Sequence, residues 1–305
     1  MGNKGVKIIV TGGAGFIGSN LVDALVERGL EVHVVDNLSN GKREYVHRKA
    51  TLHVIDVTNL DSIKPVFAGA EYVFHLAALP RVQFSIEHPA ETSKVNVEGT
   101  LNVLIAAHEA GVKRLIYSAS SSAYGDQEKM PLTEDMPVMP KSPYGLQKYI
   151  GELHCRLWSE VYKLPTVSLR YFNVYGSRNN PEGAYALVIG KFLNQRANGQ
   201  PMTITGDGEQ TRDFTYIKDV VRANILAMES SNVGKGEVIN IGAGRNQSVN
   251  KIAQLIGGPV TYTPVRLEPR HTLADTTLAK KLLGWKPEVS IEEGIAELKS
   301  MQGRK

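Results

Sequence analysis

Through the first 172 residues, short apolar and β-branched runs alternate with longer stretches whose apolar positions recur every three or four residues. The runs are KIIV around Ile8, VHVV around Val34, TLHVI around Val54, YVFHLA around Phe74, RLIYSAS around Ile116 and TVSLRYF around Leu169. Runs this short and this apolar read as strands covered on both faces, and the stretches between them carry the period of amphipathic helices. Helices are predicted, for instance, over 19–28, 95–110 and 144–162. Strand and helix in alternation predict repeated βαβ units and a parallel sheet. After Asn173 the alternation is lost, and Gly- and Pro-bearing loops enter around Pro181 and Gly206. The pattern divides the chain into a main domain over 1–173, rejoined by 216–242, and a smaller α/β substrate lobe built from 174–215 and 243–305. At 305 residues and 42% apolar, the chain can bury a full core.

The first run leads directly into Thr11-Gly12-Gly13-Ala14-Gly15-Phe16-Ile17-Gly18, with a helix expected to open near Ser19. Glycines in this series allow a tight turn, close approach of backbone to a pyrophosphate, and contact of helix with strand, while the helix N-terminus offers N–H groups to phosphate. The motif is weak alone, but here it follows a strand, precedes a helix, and is followed by a second strand ending at Asp36, 18 residues beyond Gly18. The expected fold is therefore a Rossmann-type doubly wound parallel sheet with a smaller α/β lobe. A carboxylate at Asp36 accepts hydrogen bonds from the adenosine ribose hydroxyls and repels a 2′-phosphate, which selects NAD over NADP. Asp56, at the expected end of the third strand beside Val57, fits either an adenine-amino acceptor or a turn aspartate.

Charge adds little to this picture. The net charge of +4 comes from 35 basic and 31 acidic residues with no long run of either sign, so no nucleic-acid surface is expected. The lone Cys155 excludes an internal disulfide and a cysteine-based metal site, and no metal is expected; its use fits a reducing cytoplasm. No run of about 18 apolar residues marks a membrane span, and Val6 stands where a myristoylation signal at Gly2 requires Ser or Thr. A cytoplasmic protein is expected.

The fifth strand leaves the sheet as Ser118-Ala119-Ser120-Ser121-Ser122-Ala123-Tyr124-Gly125, and Tyr144 and Lys148 follow in SPYGLQK, 24 and 28 residues after Ser120. At i and i+4 on a helix, both side chains project from one face. A phenol with a pKa near 10 is a poor base at neutral pH, and a nearby ammonium and a positive nicotinamide ring favour the phenolate. Ser120 is placed to hydrogen-bond the hydroxyl from which the proton is removed.

The segments TGGAGFIG, SSSAYG, SPYGLQK, LRYFNVYG and GDGEQTRDFTYIKD, in this order along nearly the whole chain, resemble the extended short-chain dehydrogenase/reductases, specifically the NAD-dependent nucleotide-sugar epimerases and dehydratases. The resemblance implies a tightly held NAD reduced and reoxidised within one turnover, a UDP-sugar substrate, and a homodimer formed through a four-helix bundle. It makes Tyr144 the base, Lys148 the nicotinamide-ribose anchor and Ser120 the orienting hydroxyl. Cofactor contacts are implied for Gly12, Gly15, Phe16, Ile17, Gly18, Asp36, Asn37, Asp56, Val57, Ala77, Ala78 and Tyr171. Substrate contacts are implied for Ser121, Ser122 and Val188, with Asn173, Arg212 and Arg266 on the diphosphate, where forked charge-assisted donors are well matched.

Within this group, 4,6-dehydratases carry an Asp-Glu pair where Ser121-Ser122 stands here, and UDP-glucuronate decarboxylases carry a Glu before the final Val-Tyr-Gly that is also missing. Plain 4-epimerisation is the expected reaction. NPEGAYALVIGKF resembles the corresponding segment of epimerases that prefer N-acetylated UDP-hexoses, and Thr272 in RHTLAD stands where a tyrosine excludes the acetamido group. UDP-GlcNAc and UDP-GalNAc are therefore the expected pair, with UDP-Glc and UDP-Gal beside them and UDP-glucuronate as the alternative. Pro80 and Leu187 depart from that pattern towards a narrower pocket. A regulator that binds NAD without chemistry is disfavoured by the presence of both Tyr144 and Lys148, and a simple alcohol dehydrogenase by the length after Asn173.

Overall fold

The structure is a computed structural model that describes residues 5–179, 187–264 and 270–302. Six strands form where the apolar runs lie: β1 (Lys7–Thr11), β2 (Glu31–Val35), β3 (Thr51–His53), β4 (Tyr72–His75), β5 (Arg114–Ser120) and β6 (Thr166–Tyr171). After β7 (Met202–Thr205) and β8 (Thr211–Asp213) leave for the far side of the molecule, β9 (Glu237–Ile241) returns to the sheet. The seven-stranded order is β3-β2-β1-β4-β5-β6-β9, with every pairing parallel. Two further pairs stand apart: β11 (Val260–Thr263) runs parallel to β7, and β10 (Asn246–Ser248) antiparallel to β8.

Alternation within each strand sends neighbouring side chains to opposite faces. Ile8, Val10, Val34 and Phe74 pack on one face with Leu21 and Leu25 of α1 (Phe16–Glu27) and Val220 of the helix at Ile217–Glu229. Ile9, Val35, Val73 and Leu115 pack on the other with α2 (Leu60–Phe67), α5 (Gly99–Glu109) and α6 (Pro143–Val161). This doubly wound layering is the Rossmann-type fold that the alternation predicts. Between β4 and α5 lie α3 (Val82–Glu87) and α4 (Pro89–Ser93), the latter joined to α5 through a π-helical turn at Lys94–Glu98. The remaining helices are α7 (Val188–Ala197), α8 (Ile217–Glu229), α9 (Val249–Ile256), α10 (Thr277–Leu283) and α11 (Ile291–Gln302).

Three expected boundaries move. The first helix opens at Phe16, three residues before Ser19, because Gly15 serves as its N-cap through backbone geometry alone. The helix expected from Val95 is already running at Pro89, a residue pre-set for a first turn. The third strand, an edge strand paired only to β2, stops at His53 and does not reach Asp56; Val54, just beyond its end, is 52% exposed. The carboxyl ends of β1, β2, β4, β5 and β6 all open into one cleft, at the point where the strand order reverses between β1 and β4 and where ligands of open α/β sheets are bound.

Candidate active site

At the end of β1 the chain turns back sharply. The Gly12 N–H donates to the Val35 carbonyl over 2.8 Å, and Gly12 has a φ of +73°. A Cβ on Gly12 would lie 2.6 Å from the Ala77 backbone nitrogen, and one on Gly18 would lie 2.1 Å from the Gly12 carbonyl oxygen, so neither position tolerates a side chain. No side chain caps α1. Phe16, Ile17 and Gly18 line the cleft, and their first-turn amides, with the helix dipole behind them, are suited to receive a phosphate. Asp36, 8% exposed, accepts from the Ala14 N–H through Oδ2 (2.9 Å) and from the Leu38 N–H through Oδ1 (2.8 Å), and it lines the cleft with acceptor capacity to spare. Asn37 donates to Asp56 Oδ2 (2.8 Å), while Thr58 donates to Oδ1 through both its N–H and its hydroxyl. Burial opposes charge on Asp56, but these bonds hold its carboxyl below the usual range. Asp56 is thus a turn aspartate that also lines the cleft, together with Val57, Ala77 and Ala78. The glycine cradle, the uncapped helix and the carboxylate at the end of β2 together fit a dinucleotide.

The opposite wall is α6. Ser142 caps its start by accepting from the Gly145 N–H over 3.1 Å, and Pro143 occupies the first turn. The Tyr144 N–H donates to Ser85 Oγ of α3 over 3.0 Å, which fixes the base of the phenol. Lys148, 4% exposed, donates from Nζ to the Ser118 carbonyl over 2.8 Å and lies 4.9 Å above the Tyr117 ring. Ser120 ends β5, its Oγ accepting from the Ser122 N–H and hydroxyl over 3.2 and 2.8 Å, and Ser120, Ser121 and Ser122 all line the cleft beside Tyr144. Burial pushes the Tyr144 phenol up to about 12, opposed by the Ser120 hydroxyl and the Arg81 charge. Burial also pulls the Lys148 ammonium down to about 8, opposed by Cys155 and Glu152. The Arg81 guanidinium, a group that the sequence reading passed over, also favours the phenolate.

At the far end, Asn173 has a φ of +34° and donates to the Asp213 carbonyl (3.1 Å) and Thr272 Oγ1 (3.3 Å), the latter also accepting from the Asp213 N–H (3.3 Å). The buried Asp213 carboxylate gathers the N–H groups of Ala243, Gly244 and Ala274 over 2.6, 3.0 and 3.0 Å; burial pushes its pKa up to about 6 against those bonds. Asn173, Arg212 and Thr272 line the cleft. Tyr171 also lines it, but its hydroxyl donates to Asn224 Oδ1 over 2.9 Å and lies 3.1 Å from Ser118 Oγ, so only its ring face is offered. Val188 packs against the core while its neighbour Leu187, 42% exposed, lines the cleft. Arg266 lies outside the described residues. Arg81, Lys42 and Tyr45 line the cleft without having been singled out from sequence. For Lys42 the neighbouring Asp36-Asn37 turn was the available signal.

The cleft measures about 1570 Å³, more than the 300–1,000 Å³ or so of a single-ligand pocket, and has room for a dinucleotide and a second ligand side by side. Among the described residues, no group of three or more His, Cys, Asp or Glu is placed to hold a metal, and no helix is long and apolar enough to cross a membrane.

A Rossmann-type sheet with a dinucleotide cradle facing a Tyr-Lys pair defines a nicotinamide-dependent enzyme of the short-chain dehydrogenase type. The chain belongs to the NAD dependent epimerase/dehydratase family, whose model matches residues 8–242, and its cofactor is NAD. A UDP-glucose 4-epimerase of Thermotoga maritima, solved with UDP-glucose, is 42% identical and superposes with a TM-score of 0.93 over 98% of this chain and 99% of that one. A UDP-N-acetylglucosamine 4-epimerase of Methanobrevibacter ruminantium, in complex with UDP-N-acetylmuramic acid, is 36% identical with a TM-score of 0.91, covering 98% and 99%. A UDP-glucuronic acid 4-epimerase of Bacillus cereus, in complex with UDP-glucuronic acid and NAD, is 31% identical with a TM-score of 0.88, covering 98% and 99%.

Proposed function

We propose that this chain is a UDP-hexose 4-epimerase that interconverts UDP-GlcNAc and UDP-GalNAc and also accepts UDP-Glc and UDP-Gal. The observation that carries the reading is the wall formed by Ser120, Tyr144 and Lys148 opposite the glycine turn, with Ser121 and Ser122, and no acid, at the strand end. When bound, NAD supplies a hydride acceptor and donor at C4 of the sugar. The Tyr144 phenolate takes the proton of the 4-hydroxyl, and Ser120 hydrogen-bonds that same oxygen and orients it. Lys148, fixed on the Ser118 carbonyl, would anchor the nicotinamide ribose. Arg212, Asn173 and, outside the described residues, Arg266 grip the diphosphate, so that the hexose can present either face while its nucleotide end stays fixed.

The N-acetyl preference is supported by the small residue at Thr272, by the GAYALV segment, and by the name of the Methanobrevibacter relative. Pro80 and Leu187 both line the cleft, and their bulk would narrow the room left for an acetamido group. A second reading, a UDP-hexuronate, is favoured by Arg81, a cation at the reacting end of the cleft that a sugar carboxylate would meet. We further infer that 174–215 and 243–305 form the lobe that grips the sugar nucleotide, and that two copies pair through α6, where Leu146, Leu153, Leu157 and Val161 leave an exposed apolar stripe. Purified protein incubated in turn with UDP-GlcNAc, UDP-Glc and UDP-GlcA, followed by proton NMR of the anomeric signals, decides among these readings. Fastest appearance of UDP-GalNAc is expected; conversion of UDP-GlcA alone moves the assignment to the uronate.

A further inference from the structure

Beneath the catalytic face of α6 lies an ion pair that the proposed chemistry does not use. Glu152 and Arg170 are each 2% exposed, and the guanidinium grips the carboxylate with both arms, Nε to Oε1 at 2.8 Å and Nη2 to Oε2 at 2.6 Å. Such a pair contributes little net stability, because desolvation of two charges offsets their attraction, and well-packed apolar residues often serve as well or better. Its placement suggests another role. Tyr144, Lys148 and Glu152 stand at i, i+4 and i+8 of α6, on one helical face. On its other side, Arg170 lies 4.4 Å from the ring centroid of Tyr124, which follows directly on the Ser120–Ser122 strand end, and the Tyr124 hydroxyl donates to Asn240 Oδ1 of β9 over 2.7 Å.

We propose that the Glu152–Arg170 pair is a positioning device for the catalytic face: Glu152 supplies the counter-charge to the Lys148 ammonium, and Arg170 ties the serine strand end to α6 through Tyr124. This rests on the catalytic reading of Tyr144 and Lys148. The other titratable groups around Lys148 are uncharged near neutral pH. Burial pushes the thiol of Cys155 up to about 12, as it does the Tyr144 phenol, raises Tyr117 of β5 well above the usual phenol range, and pulls His75 of β4 down to about 3. Glu152, one turn further along the same face of α6, is the carboxyl that opposes the desolvation of Lys148; burial raises its own pKa, and the two Arg170 bonds oppose that shift and favour its charged form.

The test follows the titration of Lys148 by ¹⁵N-lysine NMR in the purified protein, the signal being assigned by its loss in Lys148→Arg. Two variants are compared with the wild type: E152Q, and the apolar double variant E152L/R170M, which leaves no unpaired buried charge. The wild-type amine is expected to titrate near pH 8, and both variants at least about one unit lower, a tenfold change in the proton equilibrium, with the alkaline limb of the epimerisation rate moving by the same amount. A folded variant in which Lys148 titrates at the wild-type pH overturns the proposal. So does failure of both variants to fold, which makes the pair a requirement of folding. A wild type that epimerises no UDP-sugar removes the catalytic reading instead, and leaves the NMR titration free to decide the electrostatic claim.

Discussion

A phenol pushed up to about 12 by burial is almost fully protonated at neutral pH, so the proposed role of Tyr144 as the base requires charge placed beside it. Arg81 supplies part of that charge, and a positive nicotinamide ring supplies more when the cofactor is bound. Tyr144→Phe should lower kcat by about 10²–10⁴-fold while NAD remains bound, as read from the absorbance of the denatured supernatant; near-normal turnover would remove the assignment. Lys148 carries the opposite cost. Its folded pKa of about 8 lies below the ordinary 10.5, so between these values the unfolded chain binds more protons, and the strain of the buried charge is relieved as pH rises through that window. Lys148→Met should therefore be inactive yet melt at a higher temperature than the wild type at pH 7, the gain shrinking towards pH 10; a lower melting temperature at pH 7 contradicts this. Thr272→Tyr should cut kcat/KM for UDP-GlcNAc about tenfold to a hundredfold more than for UDP-Glc, as overpacking costs about 1–3 kcal/mol. Because Thr272 Oγ1 also binds Asn173 and the Asp213 N–H, some loss on both sugars is expected, and the ratio is the informative quantity. Tyr144 and Lys148 were legible in sequence because an i, i+4 pair projects from one face whatever the tertiary context. Arg81 was not, since only the packing of α3 on α6 brings it to the phenol. Val188 was expected in the cleft and Leu187 lines it, a parity that depends on how α7 docks.

At the scale of elements, strands buried on both faces announced themselves as apolar runs, and the glycine turn was legible because its spacing is imposed by backbone contacts, such as the 2.1 Å approach that a Cβ on Gly18 would make to the Gly12 carbonyl. The end of β3 was not legible, because Val54 and Ile55 are as apolar as a paired strand, and pairing is decided by the neighbour that β2 provides. Helix α6 carries two jobs on two faces: Tyr144, Lys148 and Glu152 turn inward, while Leu146, Leu153, Leu157 and Val161 are 48%, 37%, 46% and 59% exposed. If this stripe pairs with a second copy, Leu153→Glu with Leu157→Glu should convert a dimer to a monomer in light scattering without loss of helical circular dichroism. A wild type that is monomeric at micromolar concentration would contradict the pairing.

In the whole molecule, one of the apolar clusters runs from Ile8 and Leu21 beside the sheet through Val220 to Ile252 and Leu298, so it joins the parts of the chain before and after Asn173, and residues from both line the cleft. The return of β9 to the sheet beside β6 was visible in sequence only as a near-continuous pattern from Val220 to Asn240. Central to the proposed function is that a UDP-hexose is oxidised and re-reduced at C4 without leaving the cleft. The most direct test uses UDP-GlcNAc carrying deuterium at C4, with the purified protein and no added cofactor beyond NAD. The expected product is UDP-GalNAc with the deuterium retained at C4, with no reduced cofactor released to solution. Loss of the label to solvent, or accumulation of free NADH with a keto sugar, would contradict it.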